Sequence, residues 1–179
     1  MEPDTHEART VEQLCTRCGL CCNGALFADV KLNPGERAPV ARALAAAVAK
    51  PARARRPLAR LVQPCAAFDG RLCRIYADRP SHCHNFVCAL LGQVRGGGTD
   101  VKTALAIIRR TRARAARAGR LLAALGDDDV TAPLAARFRR TAARLGDGSA
   151  GASESDLFSQ LTLVMHELNR SLAAHFYPG

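Results

Sequence analysis

Apolar and polar positions follow a clear helical rhythm in the second half of the chain and a broken one in the first. From residue 157 onward Leu157, Leu161, Val164, Met165, Leu168, Leu172 and Phe176 recur at the 3.6-residue spacing of one helix face, which predicts a long C-terminal helix. A second helix is predicted from Thr99 or Asp100 to about Leu125. Val101, Ala104, Leu105, Ile108, Ala115, Ala118, Leu122 and Leu125 fall on one side of it, and Arg109, Arg110, Arg114, Arg117 and Arg120 on the other. Arg112 and Leu121 fall out of that pattern. Between these two, Asp127-Asp128-Asp129 suits the start of a helix, because acidic side chains complement the positive end of the helix dipole. That helix carries Leu134, Phe138 and Leu145 and stops at Gly146, with a loop from Gly146 to Ser155.

The first half changes pattern every few residues. A polar lead-in occupies residues 1–14. Leu26 to Leu32 alternates loosely and predicts a short strand. Asn33-Pro34-Gly35-Glu36 combines a capping residue with a Glu three positions on, and a helix is expected to follow, beginning properly near Pro39, running to about Ala49 and stopping at Lys50-Pro51. Pro51 to Pro57 reads as an Arg-rich linker. Phe68-Asp69-Gly70-Arg71 predicts a hairpin turn, since Asp-Gly supplies the positive φ that tight turns need. Leu72 to Tyr76 is then a short strand. Asp78-Arg79-Pro80-Ser81 opens a helix expected to continue through Cys83 and Cys88 to Leu91. Gly92 to Gly98 breaks the chain and is the expected boundary.

Composition changes this picture in two ways. The formal net charge is +10, from 26 basic and 16 acidic residues. Only Lys31, Lys50 and Lys102 are lysines; the rest are Arg, in a chain also rich in Ala, as codon bias in a GC-rich genome would produce. With no Trp, two Tyr and six Phe there is little material for a base-stacking surface. No helix-turn-helix or DNA-reading finger spacing accompanies the Arg face, so nucleic acid is not an expected partner. No apolar run is long enough to span a bilayer, and the start Met1-Glu2-Pro3-Asp4 lacks the basic and apolar segments of a secretory signal. A cytoplasmic protein is expected.

The eight cysteines are the second change. Cys15, Cys18, Cys21, Cys22, Cys65, Cys73, Cys83 and Cys88 all lie in the first half. Two CxxC steps in register let one short loop turn three sulfurs toward one centre, as ferredoxin clusters and all-sulfur zinc sites both require. Cys22 is the departure. Adjacent side chains diverge, so Cys21 and Cys22 suit neighbouring metals rather than one ion. Eight thiols also make two sets of four, or one polynuclear centre. A disulfide framework is the competing reading; the expected compartment and the vicinal pair both oppose it. A radical-SAM site does not fit, because after Cys18 and Cys22 the position it requires holds Ala25.

Cys15-Thr16-Arg17-Cys18-Gly19-Leu20-Cys21-Cys22 resembles the opening motif of the YkgJ-like cysteine-cluster family, the CxxCxxCC zinc- or iron-chelating domain. Cys73-Arg74-Ile75-Tyr76 and Arg79-Pro80-Ser81-His82-Cys83-His84-Asn85-Phe86-Val87-Cys88 follow in the family's order. The resemblance covers residues 10–90. It implies a metal-chelating module carried by all eight cysteines, with zinc or iron, the latter as an iron–sulfur cluster in one reading, as the bound species. Related domains occur in flagellin lysine methylases, which makes an iron–sulfur redox or protein-modifying enzyme component the alternative. His84 stands where the family often has Arg.

Other candidates are weaker. His82 and His84 flank Cys83 and read as solvent-facing. His166 and His175 lack convergent partners. Arg79 and Tyr76 stand close enough in sequence to the cysteines to donate hydrogen bonds to sulfur. The expected fold is mainly α with a small irregular α+β cysteine-rich metal module. Residues 1–95 form the chelating module and residues 96–179 a helical region packing on it. Metal ions are the expected partners, and the pattern names neither a substrate nor a protein partner.

Overall fold

Helices dominate the chain, and the single two-stranded sheet described is confined to the cysteine-bearing half. The computed structural model describes residues 13–47, 59–146 and 151–177. Helix α1 is described over residues 13–18 and leads into the cysteine loop. Strand β1 (Asp29–Lys31) follows, then a 3-10 turn (Pro34–Glu36) and α2 (Arg37–Ala47). Strand β2 (Arg60–Val62) pairs antiparallel with β1, Val30 opposite Leu61. Two short helices, α3 (Ser81–Asn85) and α4 (Ala89–Arg95), precede three longer ones: α5 (Val101–Ala124), α6 (Leu134–Leu145) and α7 (Ala152–His175). None of the described helices is long and apolar enough to cross a membrane. The expected mainly α class with a small β part is the observed one.

The three late helices form where the periodicity places them. Asp100 caps α5, its carboxylate accepting the Thr103 N–H at 2.9 Å. Ala104, Ile108, Ala115, Ala118 and Leu122 are buried against α7, which contributes Leu161, Val164, Met165, Leu168 and Leu172. Thr111 occupies a buried position on the same face, its hydroxyl bonded to the Ile107 carbonyl and to Ser171. The Arg109–Arg120 face is largely solvated.

Several expectations in the cysteine half need correction. Residues 60–62 form a strand that the local pattern does not announce, because one buried residue, Leu61, between two exposed ones carries too little alternation. Leu72 to Tyr76 is no strand: only an isolated bridge pairs Phe68 with Cys73, and the chain turns immediately afterward. The helix expected from residue 80 to 91 is two helices. Phe86 to Cys88 are not helical, and Cys88 becomes the N-cap of α4, its sulfur accepting the Leu91 N–H at 3.4 Å. Helix α4 runs through Gly92, so the break falls at Gly96–Thr99. Helix α6 follows the triple aspartate as expected, after an intervening turn at residues 130–132 and with Pro133 as its N-cap. The lead-in residues 1–12, the end of the helix near Lys50, the 51–57 linker and the middle of the 146–155 loop lie outside the described residues.

Two apolar clusters result. The larger joins α5, α6 and α7 to Leu14, Leu20, Leu26, Leu90 and Leu91 of the first half. The smaller consists of Leu32, Val40, Leu61, Cys65, Ala67 and Ile75, under the sheet and α2.

Candidate metal centre

The cysteine loop is held by backbone geometry that only particular residues permit. Gly19 has φ +65°, and a Cβ there would lie 2.4 Å from the Phe68 ring. Gly24 has φ +78°, and a Cβ there would lie 3.0 Å from Pro64. Both positions favour glycine twice over, by dihedral and by close approach. Between them the Cys22 and Asn23 N–H groups donate to the Gly19 carbonyl at 3.0 Å each, closing the turn. Leu20, fully buried, pins the loop into the larger core.

The second cysteine segment is tied directly to this loop. The Cys65 N–H donates to the Cys22 carbonyl at 2.8 Å. Around Asp69-Gly70 the Asp69 carboxylate accepts the Arg71 and Leu72 N–H groups at 2.9 and 2.7 Å, the Asx turn that brings Cys73 back beside Phe68. The third segment is anchored from α2's entrance: the Glu36 carboxylate accepts the Ser81 N–H at 2.6 Å and also the Ser81 hydroxyl. A carboxylate at this point satisfies an N-terminal helix donor and complements the dipole of α3, which carries Cys83. Phe27 meets Phe86 edge to face at 5.0 Å, holding the Cys83–Cys88 stretch against the loop.

These ties join the segments that carry the eight cysteines, and all eight are free thiols. Cys15 is exposed, Cys65 buried, and the other six lie between. The Cys21 and Cys22 sulfurs stand 4.0 Å apart. That pair gives up its first proton readily: the Cys22 hydrogen bond brings Cys21 down to about 7, against the opposing effect of burial. Cys22 moves up, through the same hydrogen bond, burial, and the charges of Cys21, Cys65 and Cys73. Elsewhere burial dominates and pushes thiols up: Cys18 to about 12, and Cys83 to about 12 with Cys21, Cys65 and Cys73 adding to the rise. Cys65 and Cys88 rise for the same first reason. Cys15, although exposed as a residue, is raised to about 11 by desolvation and then by Cys21 and Cys88. Among the described residues no three His, Cys, Asp or Glu side chains already stand in metal-holding geometry.

Of the remaining candidates, His82 and His84 are exposed on α3, and His166 is exposed on α7. The Arg79 guanidinium lies 3.6 Å from the Tyr76 ring centroid and donates to the Tyr76 carbonyl at 3.2 Å. Its charge lowers the thiols of Cys15 and Cys83, so it acts on the cluster through space. Two positioning residues carry no mark in the sequence that would single them out. Leu20 is a single apolar residue among cysteines, with no period to distinguish it. Glu36 is legible as the partner of its own cap, Asn33, whose N–H it accepts at 3.0 Å, but its bonds to Ser81 join segments 45 residues apart.

A shallow cleft of about 230 Å³ opens beside the loop, lined by Asn23, Ala25, Pro64, Arg112, Leu134 and Arg137 among others. The donor set itself is chemically uniform: soft sulfur ligands, the type that selects zinc or iron–sulfur over hard cations. In comparison with known proteins, the model of the CxxCxxCC family, described as "Putative zinc- or iron-chelating domain", matches residues 14–104, just over half of the 179. No curated protein and no solved structure matches the chain.

Proposed function

The chain belongs to the CxxCxxCC family of zinc- or iron-chelating domains, and from that premise we propose that it is a metal-chelating protein whose ligands are the eight cysteine thiolates. One observation carries the reading: the Cys22 and Cys65 segments are joined by a backbone bond, the segment with Cys83 and Cys88 is held by Glu36 and Phe27, and each brings free thiols. Cys15, Cys18, Cys21, Cys22, Cys65, Cys73, Cys83 and Cys88 would hold zinc or iron, the latter alone or as an iron–sulfur cluster. The bound metal supplies a crosslink between these segments, and in the iron–sulfur form an electron store. The protein's part is to surrender protons. Most of these thiols are pushed up by burial, so each one that binds metal releases its proton to solvent, and chelation strengthens as pH rises. Cys21–Cys22 loses its first proton near pH 7 and is the natural entry point. Residues 1–95 are the chelating module on this reading, and residues 96–179 its helical support. Free thiols in this number belong to a reducing compartment, and the cytoplasm is the one assigned.

A protein-modifying iron–sulfur component, as in flagellin lysine methylases, is the second reading. The cleft beside Asn23 and Pro64 is what favours it.

Anaerobic purification of the full chain, followed by metal analysis, a sulfide assay and a visible spectrum, tests the proposal. Colourless protein with zinc supports the zinc form, and brown protein with inorganic sulfide the cluster form. Protein with neither zinc nor iron, and no uptake of either when offered, overturns it.

A further inference from the structure

The eight thiols need not divide as the sequence groups them. Cys15 to Cys22 are one motif, yet the fold splits that motif between its two apolar clusters. Cys18, Cys21 and Cys88 pack against the larger core of α5, α6 and α7. Cys22, Cys65 and Cys73 pack with the smaller one under β1 and β2. The vicinal pair is the seam: Cys21 faces one cluster and Cys22 the other, with 4.0 Å between sulfurs. Backbone connections follow the same division. Cys22 is bonded through its carbonyl to Cys65, and Cys65 in turn bonds Phe68, whose bridge partner is Cys73. Cys88 sits at the start of α4, whose Leu90 and Leu91 enter the larger core with Leu14, which precedes Cys15, and Leu20, which precedes Cys21.

We propose that this chain holds two four-thiolate centres, Cys15, Cys18, Cys21 and Cys88 in one, and Cys22, Cys65, Cys73 and Cys83 in the other. Cys88 thus completes the N-terminal CxxCxxC, while Cys22 leaves it. Helix α3, which carries Cys83, lies against β1 and is tied through Ser81 to Glu36 at the entrance of α2, on the side of the smaller cluster. The assignment rests on the proposed chelation and adds to it which thiols act together.

Zinc alone, added stepwise to the reduced full-length apoprotein without oxygen, is the probe. Thiols left free at each step are alkylated and located by mass spectrometry. Protection is expected to rise in two correlated groups of four with the membership given. The double variant Cys15→Ser/Cys88→Ser should keep about one zinc per chain and protect the other four thiols, as a tetrahedral all-sulfur site requires. Cys22→Ser/Cys83→Ser should show the converse. Pairing of Cys88 with Cys83, or of Cys22 with Cys15, overturns the assignment, as does loss of all metal from both double variants. Failure of the unmodified protein to protect any thiol defeats chelation itself, which separates the two failures. Because the protection map is made on the unmodified chain, it decides the grouping even where a variant does not fold.

Discussion

At Gly19 a single missing carbon decides whether the cysteine loop can close. Its φ of +65° costs an L-residue about 1–2 kcal/mol, and the Phe68 ring occupies the space a Cβ would need. Gly19→Ala is therefore expected to lower unfolding free energy by roughly 2 kcal/mol or more and to weaken metal uptake together with it. Denaturant titration and zinc competition check this, and unchanged affinity in a destabilised variant would refute the link between loop closure and chelation. Leu20 is the complementary case. It is fully buried between two cysteines, and Leu20→Ala is expected to cost about 3 kcal/mol by leaving a cavity in the larger core, which the same denaturant titration reads. The glycine is legible in the sequence as a turn residue within CxxCGxCC, whereas its contact with Phe68 is not, since 49 positions separate the two. The eight cysteines are legible outright. Their division is not, because it depends on which cluster each sulfur faces.

Elements differ in how far their own sequence determines them. Helices α5 and α7 repeat an apolar stripe over six turns, so the pattern alone locates them; Thr111 passes unnoticed in that stripe only because its hydroxyl is satisfied by Ile107 and Ser171. The 81–95 region misleads because its apolar residues suit one helix, whereas Cys88 caps a second. The triple aspartate does precede a helix, but not as its cap. Its charge suits a helix start, but Asp127 is committed to the helix that follows: it accepts from Arg137 at 2.9 Å, with side chains only 7% and 10% exposed, and from Arg140 at 2.9 Å. Burial opposes ionisation of Asp127, yet those guanidinium bonds and charges prevail and hold its carboxyl below the usual range. The contribution is therefore present above the unfolded-state value of about 3.9 and lost as pH falls through the lower folded one. Acid unfolding of the α5–α6 corner should begin in that window. Asp127→Ala is expected to remove it and to cost about 3 kcal/mol at neutral pH, by leaving Arg137 buried without its partner. Urea titrations at several pH values measure both; equal losses for the variant at neutral and acid pH would contradict the pairing.

Across the whole molecule the helical half grips the cysteine loop by its backbone. Arg112 of α5 donates to the Arg17 carbonyl at 2.7 Å, the Leu134 N–H of α6 to the Gly24 carbonyl at 3.0 Å, and the Tyr177 hydroxyl after α7 to the Leu26 carbonyl at 3.3 Å. Leu14, Leu20, Leu26, Leu90 and Leu91 meet α5, α6 and α7 in a single cluster. A change that stiffens the loop must then be felt by helices that carry no cysteine. Metal bound only to the folded state stabilises it by about 2.7 kcal/mol at a free concentration one hundred times Kd. For a chain of this length each kcal/mol moves the midpoint by about 2–4 °C. Stripping metal with a chelator is thus expected to lower the melting temperature by roughly 5–10 °C. The helical signal, which comes chiefly from α5, α6 and α7, should fall in the same transition as thiol exposure. Circular dichroism and thiol alkylation followed on one heating ramp decide the matter. A helical transition that stays in place while thiol exposure moves would mean that the two halves unfold independently, and that the three backbone bonds do not couple them.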